Sequence, residues 1–173
     1  MVQALPRLLI LDACVLIDFC EVDVSLLAVI ARALGTIHVA SPVLAEVSQL
    51  DESTAASNGL RVVEPPLSVF AEAARKRGRL SVQDHLCLLL AKAEGWTCVS
   101  NDRALRAACA VEGVEVLWGL EMMGLAVERG HLLGPDAERA AWAMRDVNPF
   151  ISEDLVLAFV AKYVQAPSPP KKR

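Results

Sequence analysis

A chain of 173 residues suits one domain with a modest extension and can bury a substantial core. Apolar residues make up 54% of it, yet the longest apolar runs, 26–30 and 86–91, are closed by Arg32 and Lys92, far short of the roughly 18 residues a membrane-crossing helix needs. A formal net charge of −4 excludes a surface that attracts nucleic acid as a whole, so any such site must be local or must recruit cations. Five cysteines (Cys14, Cys20, Cys87, Cys98, Cys109) form no CxxC pair, so they read as small buried hydrophobes rather than a zinc ribbon or disulfide framework. The N-terminus lacks a basic start and a cleavage site, and the expected location is the cytoplasm.

In chain order, a first strand is expected over residues 7–11, running into Asp12. A helix over 22–34 and a strand over 36–40 follow, and Ser41 with Pro42 opens a helix over 42–49 that carries Glu46. A strand at 60–63 leads to a helix over 68–76, whose basic end is followed by Gly78. Ser81 and Asp84 match a capping box at the head of a helix over 82–94. Strands at 96–99 and 114–117 flank a helix over 103–111. Beyond Leu117 the pattern is helical, at 119–129, 135–146 and 152–163, and residues 166–173 read as a disordered basic tail. The strand segments are nearly continuous in apolar and β-branched residues, as in parallel strands covered on both faces. Their alternation with helices predicts a three-layer α/β/α sandwich with a five-stranded parallel sheet, plus C-terminal helices.

Four acids fall at element junctions. Asp12 ends the first strand, Glu46 sits one turn into the helix after the second, and Asp102 follows the fourth, so all three belong at the carboxyl edge of the sheet, where ligand crevices form. Carboxylates converging there repel one another unless a cation lies between them, and Mg²⁺ or Mn²⁺ is the natural occupant for oxygen donors. Such a site suits metal-assisted phosphodiester hydrolysis. Each acid also has a local reading: Asp12 and Asp102 as helix N-caps, Asp84 as half of the Ser81 capping box, Glu46 as a solvated helix residue.

The stretches LLILDACVLIDF, SPVLAEV and LSVQDHLCLLLAKAEGWTCVSNDRALR resemble the motifs of the PIN-domain family, over roughly residues 7–118. The resemblance implies Asp12, Glu46, Asp84 and Asp102 as catalytic metal ligands, with Ser100 in support. It alone draws Asp84 to the site, since the head of a helix leading into a strand is expected away from the carboxyl edge. It further implies single-stranded RNA as substrate and a toxin of the VapC-like kind with a cognate antitoxin. The ending GLEMMGLAVERGHLLG with FISEDL is similar to that of an uncharacterised toxin-like branch. The expected organisation is a PIN-like nuclease domain over 1–130 and a helical extension over 131–165. Cys14 departs from the pattern, because the family often has Asn or Ser there, and a thiol is a poor partner for a hard cation. Asp18, one turn further on, is a candidate helper or a solvated acid.

Arg103 and Arg106 follow Asp102 and can grip phosphates, or serve as solvated helix charges. Arg75, Lys76, Arg77 and Arg79 form the densest basic run, read either as a track for an RNA backbone or as cations at a helix C-terminus. The three histidines read as structural. A Rossmann reading lacks a GxGxxG, and an aspartyl phosphatase reading lacks a second Asp where Cys14 stands. The remaining alternative is a PIN-like module that binds RNA or protein without turnover. A homodimer through the first helices is also expected.

Overall fold

A computed structural model describes residues 7–75 and 78–165. Lys76 and Arg77, and the segment 166–173 read as a tail, lie outside the described residues. Five parallel strands form one sheet: β1 (Leu9–Leu11), β2 (Ile37–Ala40), β3 (Leu60–Val63), β4 (Thr97–Val99) and β5 (Val116–Leu117), in the order β3-β2-β1-β4-β5. Every residue of β1, β2 and β4 is buried, which is why these segments read as unbroken apolar runs. Helices cover the sheet, giving the expected α/β sandwich. The chain winds outward from β1 to β3 and then crosses to β4, so the strand order reverses between β1 and β4. A crevice opens at such a reversal, outside the carboxyl ends of the strands.

The helices α1 (Ala13–Val22) and α2 (Ser25–Leu34) replace the single helix expected over 22–34. Asp12 caps α1 at once, because its Oδ1 accepts from the Val15 amide, and the chain breaks at Asp23, whose carboxylate takes the Ser25 amide and hydroxyl. The helix expected over 42–49 is a single turn, α3 (Ser41–Leu44). Beyond it the amides of Glu46, Val47 and Leu50 bond three residues back and tighten the chain, until Asp51 caps a short α4 (Glu52–Ser57). Next come α5 (Leu67–Ala73), α6 (Val82–Glu94) and α7 (Arg103–Val111). Gly95, at φ +69°, ends α6 in the left-handed conformation and turns the chain into β4.

The C-terminal helices are α8 (Gly119–Glu128), α9 (Gly134–Val147) and α10 (Glu153–Phe159), the last running into a π-helical turn at Val160–Val164. Here α8 packs on α2 and α9 on α1, and Ala141, Met144, Val156 and Phe159 join the same core as Leu9 and Ile10. The first helices, expected to offer a dimer surface, therefore turn Val15, Leu16, Phe19, Leu27 and Ile30 inward. Large exposed apolar residues sit elsewhere, at Leu67, Val111, Leu133 and Phe150 among others. Gly124 of α8 lies against the Tyr163 ring so closely that a Cβ there would overlap the ring carbons. Among the described residues no helix is long and apolar enough to cross a membrane.

Candidate metal centre

Asp12 follows β1 and Ser100 follows β4, so the two meet across the strand reversal. Both are buried, at 2% and 0% exposure. The Ser100 hydroxyl donates to Asp12 Oδ2 and accepts from the Asp102 amide at 2.9 Å. Ser100 thus orients one carboxylate and sets the backbone that carries another.

Cys14 donates its Sγ–H to the same Asp12 carboxylate, at 3.0 and 3.2 Å. Burial and the adjacent Asp12 charge push the Cys14 thiol well above its ordinary range, so it stays protonated and keeps its donor. The departure at this position supplies a hydrogen bond to a carboxylate, as a hydroxyl or amide would, and asks nothing of sulfur as a ligand.

A cleft of about 340 Å³ opens here, lined by Asp12, Cys14, Glu46, Ser81, Asp84 and Asp102 among others. All four acids singled out in the sequence therefore share one cavity. Asp84 belongs to it because a helix leading into a parallel strand runs antiparallel to that strand. α6 ends just before β4 begins, and its 13 residues, about 20 Å long, carry its head back past the carboxyl edge. The expectation that this head lies away from the edge is corrected accordingly.

The local readings of the acids also hold. Asp12 caps α1, Asp102 caps α7 through the Leu105 amide at 2.7 Å, and Asp84 Oδ2 closes the capping box with the Ser81 amide and hydroxyl. Capping and cleft lining coexist because a carboxylate oxygen has lone pairs to spare. Three helix N-termini consequently face the cleft, and their partial positive charges offset part of the repulsion among the acids. What remains is visible in Asp12, whose carboxyl rises to about 6, chiefly through burial and also through the charge of Asp84. Glu46 is exposed at the rim, and partial burial and Asp84 raise its carboxyl as well.

The donor set suits a hard cation, being all carboxylate oxygen in a cleft with room for water. Among the described residues, however, no three His, Cys, Asp or Glu side chains stand close enough together to hold an ion directly. The acids surround a space rather than a point, which matches an ion that keeps several of its waters and meets only one or two carboxylates.

Asp18 is not part of this lining. Its carboxylate, 5% exposed, receives the Asn101 amide at 2.8 Å and the Asn148 amide at 2.8 and 3.0 Å. Asn101 in turn accepts from the Gly119 amide at 3.0 Å. Asp18 therefore ties the loop between Ser100 and Asp102 to the end of α9, and neither expected role, metal helper or solvated acid, describes it. Nothing in the sequence marks Asn148, 130 positions away, as its partner.

Arg106 is half-buried, with its guanidinium 3.9 Å over the Trp118 ring and bonded to the Ser100 carbonyl at 3.2 Å. Arg103 is exposed at the head of α7. Arg75 pairs with Glu72 at 2.8 Å on the surface, and Arg79 is exposed two residues before Ser81. His38 bonds the Leu9 carbonyl and stacks on Trp96 at 3.9 Å, while buried His85 bonds the Ala73 carbonyl, as expected of structural histidines.

No family model matches the sequence, and no curated protein matches it. Among solved structures the chain is similar to a PilT N-terminus domain protein from the hyperthermophilic archaeon Sulfolobus solfataricus P2. The TM-score is 0.49, the sequence identity 14%, and the match covers 69% of this chain and 93% of that one.

Proposed function

We propose that the protein is a PIN-type endoribonuclease that hydrolyses single-stranded RNA with Mg²⁺ or Mn²⁺. The observation that carries the reading is the gathering of Asp12, Glu46, Asp84 and Asp102 in one cleft at the strand reversal. Bound there, the cation supplies charge neutralisation at the scissile phosphate and lowers the pKa of the attacking water. Asp12 is the fixed member, held by Ser100, Cys14 and the Val15 amide. Asp84 and Asp102 are set by their capping bonds, and Glu46, free at the rim with a raised carboxyl, is placed to take the proton of the attacking water. The heads of α1, α6 and α7 favour the anionic phosphate in the same space.

The test is hydrolysis of fluorescent single-stranded RNA with Mn²⁺, with Mg²⁺ and with chelator, beside Asp12→Asn prepared identically. The reading expects metal-dependent cleavage that the variant lacks. Cleavage surviving in the variant, or none across varied RNAs with neither ion bound, overturns it. The splay of the acids favours a second reading, a module of the same fold that binds RNA or protein without turnover. Metal binding without hydrolysis is its signature.

We propose separately that the protein is the cytoplasmic toxin of a toxin–antitoxin pair, a reading supported by the similarity of its ending to that of a toxin-like branch. Expression without its neighbouring gene then arrests growth, and the Asp12→Asn form does not. Equal growth of both strains removes the toxin role and leaves the nuclease standing.

A further inference from the structure

Beside the acid cleft, on the β5 side of the same sheet edge, lies a second hollow of about 200 Å³, walled by Trp118, Phe159, Tyr163 and Ile151 with Glu121 and Lys162 among its polar groups. The geometry points to a base-binding subsite, which takes one nucleobase of the RNA strand whose phosphate occupies the acid cleft. This inference rests on the ribonuclease reading above.

Four observations carry it. First, the two sites adjoin along one backbone segment. Ser100 and Asp102 serve the acid cleft while Asn101 between them lines the hollow, as alternate residues of an extended segment face opposite sides. Second, Trp118 directly follows β5, two strands from β1, so the hollow stands roughly 10 Å along the sheet edge from Asp12, two strand spacings away.

Third, the chemistry is that of a base platform. Arg106 holds one face of the Trp118 indole and is itself anchored to the Ser100 carbonyl, which places a cation between the two sites. The half-buried Trp118 indole stacks any base, the Glu121 carboxylate accepts from exocyclic amino groups, and the Lys162 ammonium, 4.6 Å over the Tyr163 ring, donates to ring carbonyls. Glu121 is fixed for this by the Trp118 amide, at 2.9 Å to Oε2. Asn101 is wall and not reader, since Asp18 and the Gly119 amide already engage it. Fourth, the hollow is smaller than the roughly 300–1,000 Å³ sites that enclose drug-sized ligands, and suits a single ring system.

The experiment has two arms on the full chain. In the first, an oligoribonucleotide is compared with versions in which one nucleotide beside the cut bond is replaced by an abasic ribose. At one position the abasic form is expected to lose about tenfold or more in kcat/KM, and Ala158→Leu, which fills the hollow from α10, brings that ratio towards one. Damage to the fold lowers both substrates and leaves the ratio unchanged. In the second arm the indole N–H signal of Trp118, identified by its loss in Trp118→Phe, is followed in chelator with AMP, GMP, CMP and UMP. A shift with at least one nucleotide, abolished in Ala158→Leu, is expected. If RNA is cleaved but abasic and intact substrates are cut alike and no nucleotide moves Trp118, the inference is overturned and the nuclease stands. The hollow then suits an aromatic side chain of a protein partner. If no RNA is cleaved but Trp118 responds, the subsite stands and the nuclease reading falls.

Discussion

Replacing Asp12 by Asn removes a charge that the fold holds at 2% exposure, and its first effect should be on stability in the absence of metal. The Asp12 carboxyl sits at about 6 against an ordinary 3.8, so the folded chain binds more protons than the unfolded one across that window. Stability therefore falls as pH rises from 3.8 through 6, and by pH 8 the ionised carboxylate costs about 3 kcal/mol, the two-unit shift at about 1.4 kcal/mol per unit. Asn avoids that cost but gives up the hydrogen bond from Ser100, worth about 1 kcal/mol. A net gain of about 2 kcal/mol at pH 8 corresponds to a Tm roughly 4–8 °C above the parent for a chain of this size. At pH 5 the cost has roughly halved, and the gain should shrink to about 1–2 °C. Saturating Mn²⁺ should reverse the order, since an ion at about 100 times its Kd adds roughly 3 kcal/mol to the parent and nothing to a chain without its site. The assay is thermal unfolding by circular dichroism in chelator at the two pH values, and again with Mn²⁺. An Asn variant that melts below the parent by the same margin at both pH values would show that Asp12 carries no burial penalty, and would remove the electrostatic case for a cation at this cleft.

Three other substitutions test separate parts of the structure. Asp18→Ala strips Asn101 and Asn148 of a shared acceptor and should cost about 2 kcal/mol in urea unfolding, whereas Asp18→Asn, which keeps one oxygen, should cost about half; equal losses would refute the clamp. Cys14→Ser keeps a donor to Asp12 and should bind Mn²⁺ at least as tightly as the parent by calorimetry, while Cys14→Val should weaken binding several-fold, about 1 kcal/mol. Gly124→Ala drives a methyl into the Tyr163 ring and should destabilise by about 1–3 kcal/mol despite the better helix propensity of Ala, read as a lower midpoint in urea.

The elements that the sequence made plain are those whose cause is local. β1, β2 and β4 are buried on both faces and read as apolar runs, and α6 has a capping box at one end and Gly95 at the other. The acids were legible because each doubles as a junction residue. α1 escaped although Asp12 was read as an N-cap as well as a ligand, because the segment after it is mostly apolar and displays no clear polar face. α3 failed as a long helix because three-residue backbone bonds beyond Leu44, which no side chain announces, take over the chain. The Asp18 clamp was out of reach, since its partners come from a loop and from the far end of α9, and only packing brings them together. Arg106 was open between a phosphate ligand and a solvated helix charge, and its contact with the Trp118 ring, 12 positions on, is one that only packing reveals.

The clamp also bears on when the site can form. Asp18 is made early, whereas Asn148 leaves the ribosome only after 130 further residues, so the carboxylate that holds Asn101 gains its second amide partner only then. A growing chain folds from its N-terminal end while surrounded by ribosomal and messenger RNA. Under the proposed ribonuclease reading, the Asp18 support beside the acid cleft is completed only when the end of α9 is in place, late in the protein's own translation.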